Sequence, residues 1–342
     1  MKQGIYHYSP TLEFKLGQIG KAFVNLCTTN PSLYVDEPLY ESKSDNGLNL
    51  HLYVRDMPYE YNDEETTFYY RFSYDERLFF TNQNTIELSK ADGTKEIFSR
   101  NSSTQTFDNT ENKSYIKETY NEETCTNVYT LFDENERELQ FYNLIGTVYF
   151  LTEIKMKNGK KITISRLNAS TLKTIKNELS RERIEFTYYD STYTMTVYRD
   201  ISQSSSEILY QFSVVLGTSF AGLSVYHRVY TSGNSYRGYK SHSYVFTDEL
   251  ITLSETREYI TLNYSFTKST SKAITRFKDD NNNCTFIEYG TNCATVTNNR
   301  NDERVKYVWD ATGRTTHVYD LKSQYLHFCL QNGICTYIPI FF

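Results

Sequence analysis

Residues 305–320 read V-K-Y-V-W-D-A-T-G-R-T-T-H-V-Y-D, and this stretch decides the fold. Val305, Tyr307 and Trp309 alternate with Lys306 and Val308, the period-two pattern of a half-buried strand. The run stops at Asp310-Ala311-Thr312-Gly313. Asp at the first turn position can bond the backbone two residues on. Gly at the fourth accepts positive φ at no steric cost, so the next strand returns antiparallel. The unit is predicted to be a β-hairpin.

Similar turn chemistry recurs at Asp92-Gly93, Asn158-Gly159 and Ser232-Gly233-Asn234. Between the turns lie further alternating runs. In L-N-L-H-L-Y-V-R, Leu48, Leu50, Leu52 and Val54 share one face while Asn49, His51, Tyr53 and Arg55 share the other. Phe68, Tyr70, Phe72 and Tyr74 repeat the pattern with rings. So do Ile184-Phe186-Tyr188, Tyr193-Met195-Val197, Val225-His227-Val229 and Ile260-Leu262-Tyr264-Phe266. Hairpin follows hairpin without one fixed spacing, which predicts an all-β fold of repeated antiparallel β-hairpins in a curved, spiralling, partly cocoon-like sheet.

Proline placement sets the expected organisation. Pro10, Pro31, Pro38 and Pro58 lie early and the next is Pro339, so a long stretch keeps every ladder donor. Residues 1–46 are read as an irregular leader packed on the first strands, and 47–342 as the hairpin array. In the segment around Leu172, Ile175 and Leu179, the i, i+3, i+7 spacing fits a short amphipathic helix about as well as strand and turn.

The chain has 342 residues, with 32 Tyr against one Trp and a net charge of −6 from 42 acidic and 36 basic side chains. Mean hydropathy is −0.60. Tyrosine carries an apolar ring and a polar tip, so two-faced sheet accommodates many of them. The charges are interspersed with no basic stripe, which argues against nucleic acid as a partner. Glu13, Lys15 and Lys21 interrupt any N-terminal apolar run, and no later run reaches bilayer-spanning length, so neither an ordinary export signal nor membrane insertion is expected.

Cys27, Cys125, Cys284, Cys293, Cys329 and Cys335 contain no C-x-x-C and no His at metal-ligand spacing, so no metal and no cofactor is expected from them. An Asn332-Gly333 two-residue turn would pair Cys335 with Leu330 and put Cys329 one step out of register. A disulfide there would need a different loop.

The 305–320 stretch resembles the YD repeat of the Rhs and wall-associated family, roughly Y-x-Y-D-x-x-G-R-x-x-x-V-x-D. Tyr307, Asp310, Gly313, Arg314, Val318 and Asp320 fit; Trp309 stands for the second tyrosine and Thr315 for the usual leucine or isoleucine. Asn84–Phe98, with its Asp92-Gly93 turn, resembles an early strand pair of the same family. Tyr129–Ser165, with Asn158-Gly159, resembles the next, and Phe286–Val296 resembles the E-Y-G element before a YD unit. The likeness also continues into Arg183–Asp190, which favours a hairpin over a helix at 170–183.

This resemblance implies a non-enzymatic shell or scaffold segment, associated with a toxin or displayed at a surface. Its partners would be a toxin domain or further repeats, and family members are mostly secreted or surface-exposed. The apolar end, I-C-T-Y-I-P-I-F-F at 334–342, is read as an open edge prone to self-association.

The sequence contains no G-x-S-x-G, no Gly-rich phosphate loop and no H-E-x-x-H. His7, His51, His227, His242, His317 and His327 fall in alternating runs and are read as strand-face residues. The runs Asp63-Glu64-Glu65 and Glu134-Asn135-Glu136 are read as solvated loops, although a facing carboxylate pair would suit a glycoside hydrolase. Arg314 is expected to stack on a nearby ring and tie one hairpin to its neighbour. The alternative to a scaffold is glycan binding through exposed tyrosines, with Tyr53, Tyr69 and Tyr70 as the candidate row.

Overall fold

The computed structural model describes residues 10–27, 33–44, 47–56, 68–145, 147–168, 171–202, 205–216, 222–231, 235–247, 249–257, 260–271, 273–311, 313–322, 325–331, 334–335 and 338–339. All of its regular structure is β-strand, as the hairpin periodicity predicts.

Five strands form a separate antiparallel meander: β1 (Thr11–Lys15), β2 (Lys21–Asn25), β3 (Leu33–Glu41), β4 (Asn49–Asp56) and β5 (Phe68–Phe72). Residues 11–41 supply three of these strands and so are not an irregular leader, while residues 1–9 lie outside the described residues. Pro38 does not prevent this because it sits at a register shift in the β3–β4 ladder, where a missing donor is tolerated. The break between sheets falls after β5.

The second sheet begins with β6 (Arg77–Asn82), β7 (Thr85–Ser89), β8 (Lys95–Asn101), β9 (Thr106–Asn109), β10 (Tyr115–Asn121), β11 (Thr126–Phe132), β12 (Glu138–Ile145) and β13 (Val148–Lys155). Each pairs with the next, and β13 then pairs back with β6 through Val148↔Phe79, Tyr149↔Leu78 and Phe150↔Arg77. Eight strands thus close a barrel, the number whose interior side chains can just fill. Phe80 meets Phe107, Tyr129 and Tyr149 edge-to-face across that interior.

Closure uses only half of one strand. The first residues of β13 pair with β6, while Glu153–Lys155 pair with β14 (Lys161–Asn168). The sheet therefore leaves the ring as a spiral. It continues through β15 (Thr171–Asn177), β16 (Glu182–Tyr189), β17 (Thr192–Asp200), β18 (Ser206–Leu216), β19 (Gly222–Thr231), β20 (Ser235–Phe246), β21 (Leu250–Arg257), β22 (Ile260–Lys268) and β23 (Ile274–Lys278). After these come β24 (Cys284–Gly290), β25 (Cys293–Asn298), β26 (Glu303–Trp309), β27 (Thr315–Asp320) and β28 (Tyr325–Gln331). Two short strands, β29 (Ile334–Cys335) and β30 (Ile338–Pro339), both pair with β28. The register Leu330↔Cys335 is the one predicted for that hairpin. Turn residues 232–234 and 332–333 lie outside the described residues, as do the side chains of Cys329 and Cys335.

The ambiguous segment around Leu172, Ile175 and Leu179 is a hairpin. Leu172 and Ile175 share the buried face because the β14–β15 ladder shifts register beside Lys173, adding a residue to the normal two-residue repeat. A bulge produced the helix-like spacing.

The five-stranded sheet packs its apolar face on β16–β23. Phe72 meets Phe186, Tyr70 meets Tyr193, Tyr40 meets Tyr210, Phe68 stacks on Phe246, and Phe14 meets Phe266 and Phe277. Leu50, Leu52 and Val54 are fully buried in this layer, each side chain contributing about 1.5–3 kcal/mol. On its other side, Arg55 donates to the Gly93 carbonyl and Arg71 to Ser89 and Lys90. The sheet is held between the spiral and the β7–β8 turn.

Candidate functional site

The repeat residues form one recurring turn. At 310–314, the Gly313 N–H donates to the Asp310 carbonyl, the Asp310 N–H donates to the Arg314 carbonyl, and Gly313 has φ +82°. The same two backbone bonds close Lys90–Thr94 and Met156–Lys160, where Gly93 and Gly159 have φ +83° and +79°. Asp92 and Asn158 accept from the backbone N–H two residues on. Asp320 caps the next turn by accepting from the Lys322 N–H. Tyr307 and Trp309 pack partly buried against the core.

Two further copies escaped the sequence reading because no glycine marks them. Asp133–Arg137 and Asp279–Asn283 make the same backbone bonds, with Glu136 (φ +59°) and Asn282 (φ +63°) in the glycine position. In the first, Arg137 bonds the Asp133 carboxylate just as Arg314 bonds that of Asp310. The readable signal was Asp followed four residues later by Arg. A second turn, headed by Asn, closes 101–106, 121–126, 177–182 and 298–303; its Asn side chain accepts from the N–H two residues on. Arg314 pairs within its own turn at 3.1 Å, and the turn is tied to the N-terminal sheet by the Cys27 thiol, 3.3 Å from the Gly313 carbonyl.

The proposed tyrosine row is not one row. Consecutive strand residues alternate faces, so Tyr70 turns inward beside Phe68, Phe72 and Tyr193 while Tyr53 lies on the opposite face against His51. Tyr69 is in β5, but its side chain lies outside the described residues.

Polar side chains concentrate where the N-terminal sheet meets the spiral. Glu182 accepts from the Tyr40 hydroxyl (2.9 Å), the Ser42 hydroxyl (2.6 Å) and the Leu48 N–H (2.9 Å). A Cβ at Gly47 would come within 2.5 Å of that carboxylate, so its approach requires glycine. Lys268 pairs with Asp56 at 2.8 Å, both nearly buried, and Glu255 accepts from the Gln18 N–H.

The densest cluster is Glu37 of β3, His227 of β19, and His242 and Tyr244 of β20. Glu37 Oε1 lies 2.9 Å from His227 Nε2 and 2.6 Å from His242 Nδ1, and Tyr244 donates its hydroxyl to Oε2. All four residues are buried. Ligand atoms of Glu37, His227 and His242 lie within 4.8 Å of one another, a spacing compatible with a bound metal. Phe212 covers His227 edge-on at 5.3 Å. Burial pushes the Glu37 carboxyl upward, but His242 and His227 outweigh it and hold its pKa down to about 2. Burial also pushes the His227 imidazole down, against the opposing pull of Glu37. The cluster is thus an ionised carboxylate facing imidazoles.

His227 and His242 are strand residues, as expected, but they occupy inward positions. The overlooked signal was a polar residue at the apolar phase of an alternating run: Val35-Glu37-Leu39, Val225-His227-Val229 and His242-Tyr244-Phe246.

No protein-family model matches this chain, and no curated protein sequence matches it. Among solved structures, the crystal structure of TcdB2-TccC3-TEV aligns with 94% of this chain at 9% identity and a TM-score of 0.17. The chain spans 24% of that protein's length.

Proposed function

We propose that this chain is a non-enzymatic structural module, a segment of coiled hairpin sheet that walls or scaffolds. The observation that carries this reading is the divided edge of β13, which closes an eight-stranded ring with one half and launches the onward spiral with the other. Such a sheet lengthens by adding hairpins, and its recurring turns are the joints. The placement of the buried charges supports the same role, because Glu182, Asp56 and Glu255 each anchor one sheet to the other.

The resemblance to Rhs and YD-repeat proteins gives the proposal its finer form: a toxin-associated shell or a surface scaffold, with a toxin domain or further repeats as partner and secretion or surface display as its setting. Glycan binding is the alternative, and the exposed tyrosines available to it among the described residues are Tyr115, Tyr120, Tyr188 and Tyr189. Hydrolysis is the third reading.

Sedimentation velocity across a concentration series tests the scaffold. Self-association through the terminal strands is expected, and a clean monomer at high concentration refutes the open-edge form of the reading. Specific glycan-array binding by folded protein would favour the alternative.

A further inference from the structure

We propose that Glu37, His227, His242 and Tyr244 form a closed structural site for one divalent transition-metal ion of the Zn2+ type. The donor set is two imidazole nitrogens, a carboxylate and a phenol oxygen. Imidazole with carboxylate suits Zn2+ and its first-row neighbours, whereas Ca2+ and Mg2+ require six or more oxygen ligands that this cluster does not offer. Ligand atoms lie within 4.8 Å of one another, close enough for side-chain adjustment to bring them to the roughly 3.3–3.6 Å spacing of donors around one tetrahedral ion with bonds of about 2.0–2.2 Å. Full burial of all four side chains leaves no open coordination position, the mark of a structural rather than a catalytic centre.

Charge supports the same assignment. Without a metal, a carboxylate accepting from two rings and a hydroxyl is buried beside Phe212 and Val225. Buried charges are ordinarily paired or bound to a metal. With an ion present, His227 Nε2 and His242 Nδ1 coordinate and each ring carries its proton on the far nitrogen. The three strands, from segments 190 and 205 residues apart, are then joined at one point.

The test uses the full chain carrying Cys125→Ser, which removes an exposed competing thiol. After chelator treatment, calorimetric titration with Zn2+ should show one equivalent bound, and the melting temperature should rise with Zn2+ but not with Mg2+. Co2+ should give the visible absorption of a tetrahedral nitrogen–oxygen site. Glu37→Gln and His227→Gln should each weaken Zn2+ binding by roughly 100-fold or more, since removing a ligand costs at least as much as removing a second-shell partner. A chain that binds no Zn2+, with a melting temperature unmoved by Zn2+ and by chelator, overturns the proposal. So does undiminished binding in folded His227→Gln. If the variants fail to fold, the Co2+ spectrum of the otherwise unaltered chain decides.

Discussion

Arg166→Ala should loosen the seam where the spiral begins. Arg166 of β14 pairs with Asp75 at 2.7 Å, their side chains only 2% and 9% exposed, and Arg77 at the head of β6 holds the other carboxylate oxygen at 2.8 Å. Both guanidiniums lie near the Phe150 ring of β13, at 4.8 and 5.3 Å from its centre. One aspartate therefore clamps the three strands that share the divided edge. Removing one partner of a buried ion pair costs about 3–5 kcal/mol; the retained Arg77 pair puts Arg166→Ala near the lower end. The lost ring contact adds about 1 kcal/mol, for about 4 kcal/mol in all.

Replacing both partners by apolar residues of similar size, Asp75→Leu with Arg166→Met, should cost less than the two single changes combined, with a coupling energy of about 2 kcal/mol or more. Urea unfolding measures the cycle, and hydrogen exchange at residues 77–79 and 148–150 localises the opening. Coupling below about 0.5 kcal/mol, or accelerated exchange spread evenly over the chain, would refute the clamp.

Three other outcomes are expected. Glu76 is partly buried, and burial raises its carboxyl to about 7 against an ordinary 4.5. Because the folded state holds the proton more tightly, the chain loses stability as pH climbs from about 4.5 to about 7, by at most about 3 kcal/mol and less where solvent screens the charge. Glu76→Gln should flatten that slope in pH-dependent melting curves; an unchanged slope would assign it to other groups. Glu136→Gly should stabilise by about 1 kcal/mol, since Glu136 occupies the left-handed region that glycine fills in the sister turns, and a loss measured by denaturation would contradict the shared geometry. Coupling between Arg314 and Asp310 should be at most about 1 kcal/mol, because the pair is half exposed, and a larger value in an Arg314→Ala, Asp310→Ala double-mutant cycle would contradict this.

Much of this architecture was legible because hairpins are local. Alternation marked Leu48–Val54 and Val305–Trp309 as strands, and Asp-x-x-Gly marked the turn between β26 and β27. Turns using Glu136 and Asn282 were invisible to a reading that waits for glycine. Closure of β6 on β13 was equally hidden, since nothing near Arg77 names a partner some seventy residues on. Pro38 suggested irregularity until a bulge accommodated it. The Glu37 cluster could be suspected only as three polar residues out of phase, because the pairing that unites them belongs to the packing of two sheets.

Docking the N-terminal sheet on β16–β23 also governs biosynthesis. Asp56 cannot meet Lys268 until 212 more residues have been made, and at roughly 5–20 residues per second the ribosome needs on the order of 10–40 s to supply them. Throughout that interval Leu50, Leu52 and Val54 present a sticky, uncovered surface on the nascent chain. Production in a host should therefore be sensitive to holdase chaperones, and slowing translation before residue 268 should increase aggregation.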